Sequence, residues 1–171
     1  MSILEVIRER RSIRRYREDP IPEGVLRRVL EAARLAPSGK NLQPWKFIIV
    51  RDPGLKEKVA EASLRQYFIA KAPLIIVACG FPDRCYSHMG RYMKSWSVDV
   101  AIALEHLILQ AQEENLGTCW IGAFEEEKVK AILNVPGEVK VLALTPLGYP
   151  AESPPFRGRK DLEEVISYDS F

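Results

Sequence analysis

The sequence predicts a mixed α+β domain in which a sheet of four or five strands lies among several helices. Short runs of β-branched and aromatic residues alternate along the chain with longer stretches that repeat apolar residues every three to four positions. Proline and glycine separate these segments, and a composition of 47% apolar and 28% charged residues is typical of a globular protein. We therefore expect one domain, residues 1–171.

Two helices are predicted before the first strand. The segment Ser2–Arg10 places its apolar residues on one side, and Ser2 followed by Glu5 is a capping-box pattern that favours a helix start. The second helix begins near Pro22, because proline is tolerated in a first turn. It keeps the 3.6-residue apolar spacing and ends before Pro37.

A strand, a helix and a second strand follow. Trp45–Val50 and Leu74–Cys79 are short apolar runs bounded by proline or glycine, as expected of buried strands. The residues from about Leu55 to Ala70 are predicted to form one helix. After the second strand, Gly80 begins an irregular segment that extends to about residue 94.

The second half of the chain is predicted to contain two helices, two strands and a tail. Ser95–Asn115 has a helical period but is apolar around most of its circumference, which predicts burial on more than one face, in the core or in a subunit interface. Polar interruptions in this helix are Asp99, Glu105 and His106. Strands are predicted at Thr118–Ile121 and Val139–Leu147, with a helix at Glu125–Asn134 between them. The proline-rich tail from Ala151 is expected to run extended over a neighbouring surface.

Composition limits the cellular setting and the partners. A net charge of +2 gives no bulk electrostatic reason to bind nucleic acid. Three scattered cysteines do not form a disulfide framework, which favours a reducing compartment. The N-terminus lacks a signal-peptide core, and no apolar run approaches the roughly 20 residues of a membrane-spanning helix. We therefore expect a cytoplasmic protein that does not act on a membrane or on nucleic acid.

An arginine-rich segment directly after the first predicted helix is the densest candidate for a ligand site. Residues 10–15 read Arg-Arg-Ser-Ile-Arg-Arg. Guanidinium groups bind phosphate oxygens in pairs and a serine hydroxyl adds a donor, so the segment could hold one phosphomonoester. A solvated basic surface is an equally good interpretation. Nucleic-acid binding is a further one, although only Tyr16 offers a nearby ring for stacking.

A polar loop between a helix and a strand is the second candidate. Residues 36–45 read Ala-Pro-Ser-Gly-Lys-Asn-Leu-Gln-Pro-Trp. Backbone N–H groups and amide side chains in such a loop could meet the hydrogen-bonding edge of a heterocycle. Taken alone, the same residues are also explained by a helix stop followed by a turn.

These two segments, in this order, resemble the nitroreductase family of FMN-dependent homodimeric oxidoreductases. Further matching segments are Ala72-Pro73, Leu116–Phe124, Leu147–Pro150 and Arg157–Glu164, so the resemblance spans nearly the whole chain. It implies a nitroreductase-like fold, with a mixed, mostly antiparallel sheet of four to five strands surrounded by helices. It also implies a homodimer that exchanges its tails and holds its FMN sites at the interface.

The resemblance assigns candidate FMN contacts. Those to the phosphate and ribityl chain would be Arg10, Arg11, Ser12, Arg14, Arg157 and Arg159. Those to the isoalloxazine, supplied across the dimer interface, would be Pro37, Ser38, Gly39 and Asn41, and the other wall would be Ile121, Gly122 and Ala123. Gln66 stands where relatives often have an amide facing the ring, whereas Arg65 departs from the usual asparagine.

The resemblance also implies an activity. Tightly but non-covalently bound FMN would pass two electrons from NADH or NADPH to a small acceptor, such as a nitroaromatic, a quinone or free flavin, in a ping-pong cycle. The chemistry would take place on FMN, with no catalytic side chain strictly required. Two alternatives remain: an FMN-binding protein with specialised (dehalogenating or flavin-modifying) or no turnover, and a basic-arm nucleic-acid binder.

The sequence does not predict a metal site or a catalytic cysteine. Cys85 and His88 are three residues apart, but zinc needs three or four ligands and no second pair is available. Cys119 is interpreted as a small strand residue, because no suitably placed histidine follows it.

Overall fold

A computed structural model describes residues 2–171 and shows an α+β architecture. The strands are β1 (Trp45–Val50), β2 (Leu74–Gly80), β3 (Gly117–Thr118) and β4 (Lys140–Gly148). They form an antiparallel sheet in the order β1-β2-β4-β3, to which Ser12 adds one parallel bridge at Thr118. The α-helices are α1 (Ile3–Glu9), α2 (Glu23–Arg34), α3 (Pro53–Ala62), α4 (Trp96–Glu113) and α5 (Glu126–Leu133). The predicted fold class, a mostly antiparallel sheet of four to five strands surrounded by helices, is confirmed.

The core lies on both faces of the sheet because β2 is buried along its whole length. Alternate residues of a strand point to opposite faces. Ile75 and Val77 pack with α3 and α5 on one face, whereas Leu74 and Ile76 pack with α2 and α4 on the other. The helices therefore cover the sheet on both sides.

The predicted helix from Leu55 to Ala70 is wrong in its second half. The α3 helix ends at Ala62, and a separate 3₁₀ turn covers Tyr67–Lys71. Between them Leu64 and Arg65 are left-handed, with φ of 55° and 60°. The break has a tertiary cause, because the Ala62 carbonyl accepts the N–H of Glu125 at 2.8 Å.

The predicted strand Thr118–Ile121 is also too long. Regular pairing covers only Gly117–Thr118. The N–H of Cys119 donates instead to the Thr145 hydroxyl at 3.2 Å. Ile121 then forms its own bridge with Leu144.

Two helices leave apolar side chains uncovered by the rest of the chain. On α1, Ile3, Leu4 and Ile7 are 78%, 54% and 50% exposed. On α4, one face is buried, whereas Val98 is exposed and Leu109 is half-buried. The burial of α4 on more than one face, predicted from its composition, is therefore incomplete within one chain.

The tail has little regular secondary structure, as its proline content predicts. Residues 155–171 are exposed, and their one described element is a 3₁₀ turn at Leu162–Glu164. The capping box of Ser2 and Glu5 is present at the start of α1, as predicted. Among residues 2–171, no helix has both the length and the apolar character needed to cross a membrane.

Replacing Asp52 with alanine is expected to lower the free energy of unfolding by about 1 kcal/mol, because this side chain caps α3. Its carboxylate accepts the N–H of Leu55 at 2.8 Å. Urea unfolding of Asp52→Ala would measure the loss, and Asp52→Ser, which can still cap, should retain most of the stability. Equal losses in both variants would contradict the capping role.

Candidate functional site

Residues 10–17, called here the arginine arm, run extended along the β3 edge of the sheet. The N–H of Ile13 donates to the Thr118 carbonyl at 2.8 Å, and the N–H of Arg17 donates to the Tyr149 carbonyl at 2.9 Å. The buried Tyr16 ring anchors the arm, and its hydroxyl donates to the Ile13 carbonyl at 2.5 Å. Burial raises the pKa of the Tyr16 phenol, so it stays neutral and serves as a hydrogen-bond donor.

The arginine arm and the tail of the same chain enclose a pocket of about 160 Å³. Its lining is Arg10, Arg11, Ser12, Arg14, Pro154, Pro155, Phe156, Arg157 and Arg159. Among the described residues that line it, five are arginines and none is acidic. The Phe156 ring lies between two of them, with the guanidinium carbons of Arg11 and Arg159 at 5.1 and 5.5 Å from its centre. The tertiary structure thus joins two segments some 140 residues apart into one strongly basic pocket, whose donors suit an anionic ligand.

The arginines of the arm differ in how far their side chains are already engaged. The guanidinium of Arg11 donates to the carbonyls of Arg8 and Arg10, which closes the end of α1. Within the described part of the chain, the Arg14 guanidinium hydrogen-bonds only to the Ser12 carbonyl, at a long 3.4 Å. The backbone N–H of Arg14 donates to Glu152 at 2.6 Å, which fixes the arm against the start of the tail. Arg14 is therefore held by its backbone and has a guanidinium that can bind a ligand.

The loop of residues 37–43 lies far from this pocket. The loop leads into Trp45 at the start of β1, and the register of the sheet places Trp45 level with Lys140 at the start of β4. The arm pairs with Thr118, which lies opposite Leu147 near the other end of β4. Four strand spacings of about 4.8 Å, from β1 across β2, β4 and β3 to the arm, and about seven residues at 3.3 Å each separate the two places by roughly 30 Å. One ligand of the size of FMN cannot contact both within a single chain.

A carboxylate buried at the start of α4 holds the 37–43 loop in place. Asp99 accepts the N–H of Gly39 at 3.0 Å. Within the loop, the Ser38 hydroxyl accepts the N–H of Gln43 at 2.9 Å. Sequence reasoning recorded Asp99 only as a polar interruption of an apolar helix, and missed this role. The available signal was an acidic residue in the first turn of a helix whose neighbours are core residues.

Gln66 and residues 121–123 are brought together, as the predicted ring wall requires. The side-chain amide of Gln66 donates to the carbonyls of Ser63 and Ala123, both at 2.9 Å. Ile121 is buried, whereas Gly122 and Ala123 are exposed. Gly122 and Ala123 therefore form an exposed backbone surface, which is held by the buried Ile121 and by the hydrogen bond from Gln66 to Ala123.

The side chains considered for metal binding contact other protein groups. The Cys85 thiol donates to the Pro82 carbonyl at 3.3 Å, and His88 Nδ1 lies 2.7 Å from the Ser87 hydroxyl. Within residues 2–171, no group of three or more His, Cys, Asp or Glu side chains is placed to hold a metal ion.

Iodoacetamide is expected to alkylate Cys85 well before Cys79 or Cys119. Burial raises the pKa of Cys79 to about 11, and burial also raises the pKa of Cys119, although Arg14 nearby opposes this. Both thiols therefore stay protonated at pH 8, and the thiolate is the reactive form. Mass spectrometry over time would measure the order, with Cys85→Ser as the control that removes the fast phase. Equally rapid modification of Cys119 would contradict it.

The sequence and the fold of this chain are similar to those of known proteins. The family model described as the nitroreductase family matches residues 7–81 and 60–149. The chain belongs to the nitroreductase family. The nitroreductase resemblance and the enzyme class, an oxidoreductase, are confirmed at this level.

Similar nitroreductase-family proteins cover most of the chain. An NADH dehydrogenase of Thermus thermophilus is 35% identical over 92% of this chain and 91% of its own length. A nitroreductase family protein of Clostridium novyi has a TM-score of 0.81 and 38% identity, covering 88% of this chain and 87% of that one. An FMN-dependent nitroreductase of Clostridium difficile has a TM-score of 0.84 and 27% identity, covering 98% and 99%.

Relatives named for other activities also match. An iodotyrosine deiodinase of Thermotoga neapolitana is 25% identical over 99% of this chain and 98% of its own length. A 5,6-dimethylbenzimidazole synthase of Rhodobacter capsulatus is 30% identical over 87% and 84%. Family membership therefore leaves the reaction of this nitroreductase-family chain to be argued from its own residues.

Proposed function

We propose that this chain binds FMN and uses it to carry two electrons from NADH or NADPH to a small acceptor such as a nitroaromatic, a quinone or free flavin. The observation that carries the proposal is the pocket in which the arginine arm and the tail place five arginines and Ser12 together. A phosphate dianion is the small group that such a set of donors binds best. The Clostridium difficile structure described as FMN-dependent supports the choice of flavin.

The residues present fit both ends of FMN. At the phosphate end, Arg14 and Arg159 would supply charge-assisted hydrogen bonds, and Ser12 a hydroxyl. At the ring end, Gly122 and Ala123 would offer backbone N–H groups to the flavin edge where negative charge develops on reduction. When bound, FMN would supply the redox chemistry by accepting hydride and passing it on. The chain itself would orient the ring, and the backbone N–H groups at the ring edge would favour the anionic, reduced form.

We further propose a C2 homodimer with two FMN sites at its interface. Because the 37–43 loop and the phosphate pocket of one chain are too far apart, a second copy would have to supply the loop contacts of Pro37, Ser38, Gly39 and Asn41. The exposed apolar faces of α1 and α4 support such an interface. Light scattering of the flavin-loaded protein at micromolar concentration should give a dimer, and a monomer would contradict the proposal.

A specialised reaction is the second candidate, because relatives named as a deiodinase and a 5,6-dimethylbenzimidazole synthase match most of this chain. Such a reaction would need a segment that covers the flavin, and the segment between β2 and α4 is the candidate for this cover. That segment is short, from Phe81 to Ser95, and its Met89–Met93 bridge closes a small hairpin. A short cover favours an open site and a broad range of acceptors.

An absorption spectrum before and after anaerobic addition of NADH or NADPH tests the proposed function. Visible flavin bands that bleach promptly, and return when a nitroaromatic or quinone is added, are expected. Bound flavin that does not bleach would indicate specialised or absent turnover. Steeply salt-dependent binding to DNA or RNA without bound flavin would instead support the basic-arm nucleic-acid binder.

A further inference from the structure

The buried carboxylate of Asp99 joins two segments that lie far apart in sequence. Asp99 is 3% exposed; one of its oxygens accepts the Gly39 N–H at 3.0 Å and the other accepts the Ser95 hydroxyl at 2.6 Å. The Ser95 hydroxyl in turn accepts the N–H of Tyr86 at 3.1 Å. The 37–43 loop and the segment before α4 are thus held as one unit by a single side chain.

The 37–43 loop needs such support because its backbone is locally unfavourable. Lys40, Asn41 and Gln43 all have left-handed φ values, of 52°, 56° and 49°. Non-glycine residues rarely adopt this region without outside constraint. Gly39 is also pressed against Tyr86, since a Cβ added at Gly39 would lie 2.8 Å from the Tyr86 Cβ. Local preference alone does not fix this conformation.

We propose that Asp99 is a positioning residue for the flavin ring, acting through Gly39. This inference rests on the proposed function, in which the 37–43 loop contacts the isoalloxazine across the dimer interface. Burying a carboxylate is costly, and only the hydrogen bonds that it accepts offset that cost. One of its oxygens holds the backbone of the 37–43 loop, which carries four predicted ring contacts, and the other holds Ser95 in the segment before α4.

Flavin titrations of the full chain, stripped of flavin, test the inference. Asp99→Ala is expected to weaken the binding of FMN and of riboflavin by the same factor, about tenfold or more. The two flavins share the ring and differ in the phosphate, so their affinity ratio should not change. Asp99→Asn keeps one oxygen for Gly39 and should restore most of the affinity.

A matched control separates positioning from general destabilisation. Lys130 is also buried and charged, and it holds a turn by donating to the Gly137 carbonyl at 2.8 Å. Lys130→Met should lower thermal stability without changing either flavin affinity. If Asp99→Ala loses stability to the same extent and still binds riboflavin as the parent does, the inference is overturned.

Two further outcomes are distinguishable. If Asp99→Ala does not fold, Ser95→Ala removes only one donor to the carboxylate. The Ser95→Ala variant should bind FMN and riboflavin more weakly than the parent by one common factor, smaller than that of Asp99→Ala. Unchanged affinities for both flavins would overturn the inference. If the parent chain binds neither flavin, the proposed function itself fails, whatever the variants do.

Discussion

Replacing Arg14 with alanine is expected to weaken FMN binding by about 10- to 150-fold, or ~1.5–3 kcal/mol, and to leave riboflavin binding unchanged. The reason is that the Arg14 guanidinium lines the basic pocket and, among residues 2–171, hydrogen-bonds only to the Ser12 carbonyl at a long 3.4 Å, whereas the Arg14 backbone is fixed by Glu152. Removing the side chain therefore removes a ligand donor without releasing the arginine arm. Fluorescence titration with each flavin would measure the two affinities.

The chain offers a charge-matched control for this prediction. Arg15 follows directly on the same arm but does not line the pocket. Arg15→Ala should therefore leave the FMN affinity within about twofold, apart from a small long-range effect that salt screens. Arg159→Ala should resemble Arg14→Ala, because its guanidinium reaches the pocket from the tail. Unchanged FMN affinity in both Arg14 and Arg159 variants would refute the phosphate assignment.

Mixed dimers of two defective chains are expected to regain one tight FMN site. One chain carries Arg14→Ala, which damages the phosphate pocket. The other carries Gly39→Val, whose Cβ would lie 2.8 Å from the Tyr86 Cβ and must displace the loop. If each site combines the pocket of one chain with the loop of the other, one site of the mixed dimer contains neither lesion and the second contains both.

Stoichiometry gives a direct measurement of this arrangement. Purified mixed dimers should bind one FMN per dimer at a concentration where the parent binds two, whereas each variant homodimer should bind little. The affinity of the recovered site should match that of the parent. If pocket and loop acted within one chain, every site of the mixed dimer would contain one lesion and no tight site would appear. That result would contradict the interface model while leaving FMN binding itself intact.

Strand positions were predictable because burial and side-chain type act locally. Trp45–Val50 was predicted with the bounds that the structure shows. The prediction for β2 is one residue short at its end, and the prediction for β4 is shifted by one residue at both ends. The break after Ala62 was not predictable, because neither glycine nor proline marks it and its partner Glu125 is 63 residues away. The length of β3 was mispredicted for the same reason, because the Thr145 hydroxyl accepts the Cys119 N–H that would otherwise continue the strand pairing.

The sequence by itself determined the candidate phosphate donors, because four arginines and a hydroxyl within six residues are a chemical signal that does not depend on folding. Only the tertiary structure decided which of them act together. It brought Arg157 and Arg159 of the tail to the arm, engaged Arg11 with backbone carbonyls, and placed the 37–43 loop at the opposite end of the sheet. It also gave Asp99 its role, since that role depends on contacts 60 residues away. Local composition specifies what a segment can bind, whereas strand order and register specify which segments can meet.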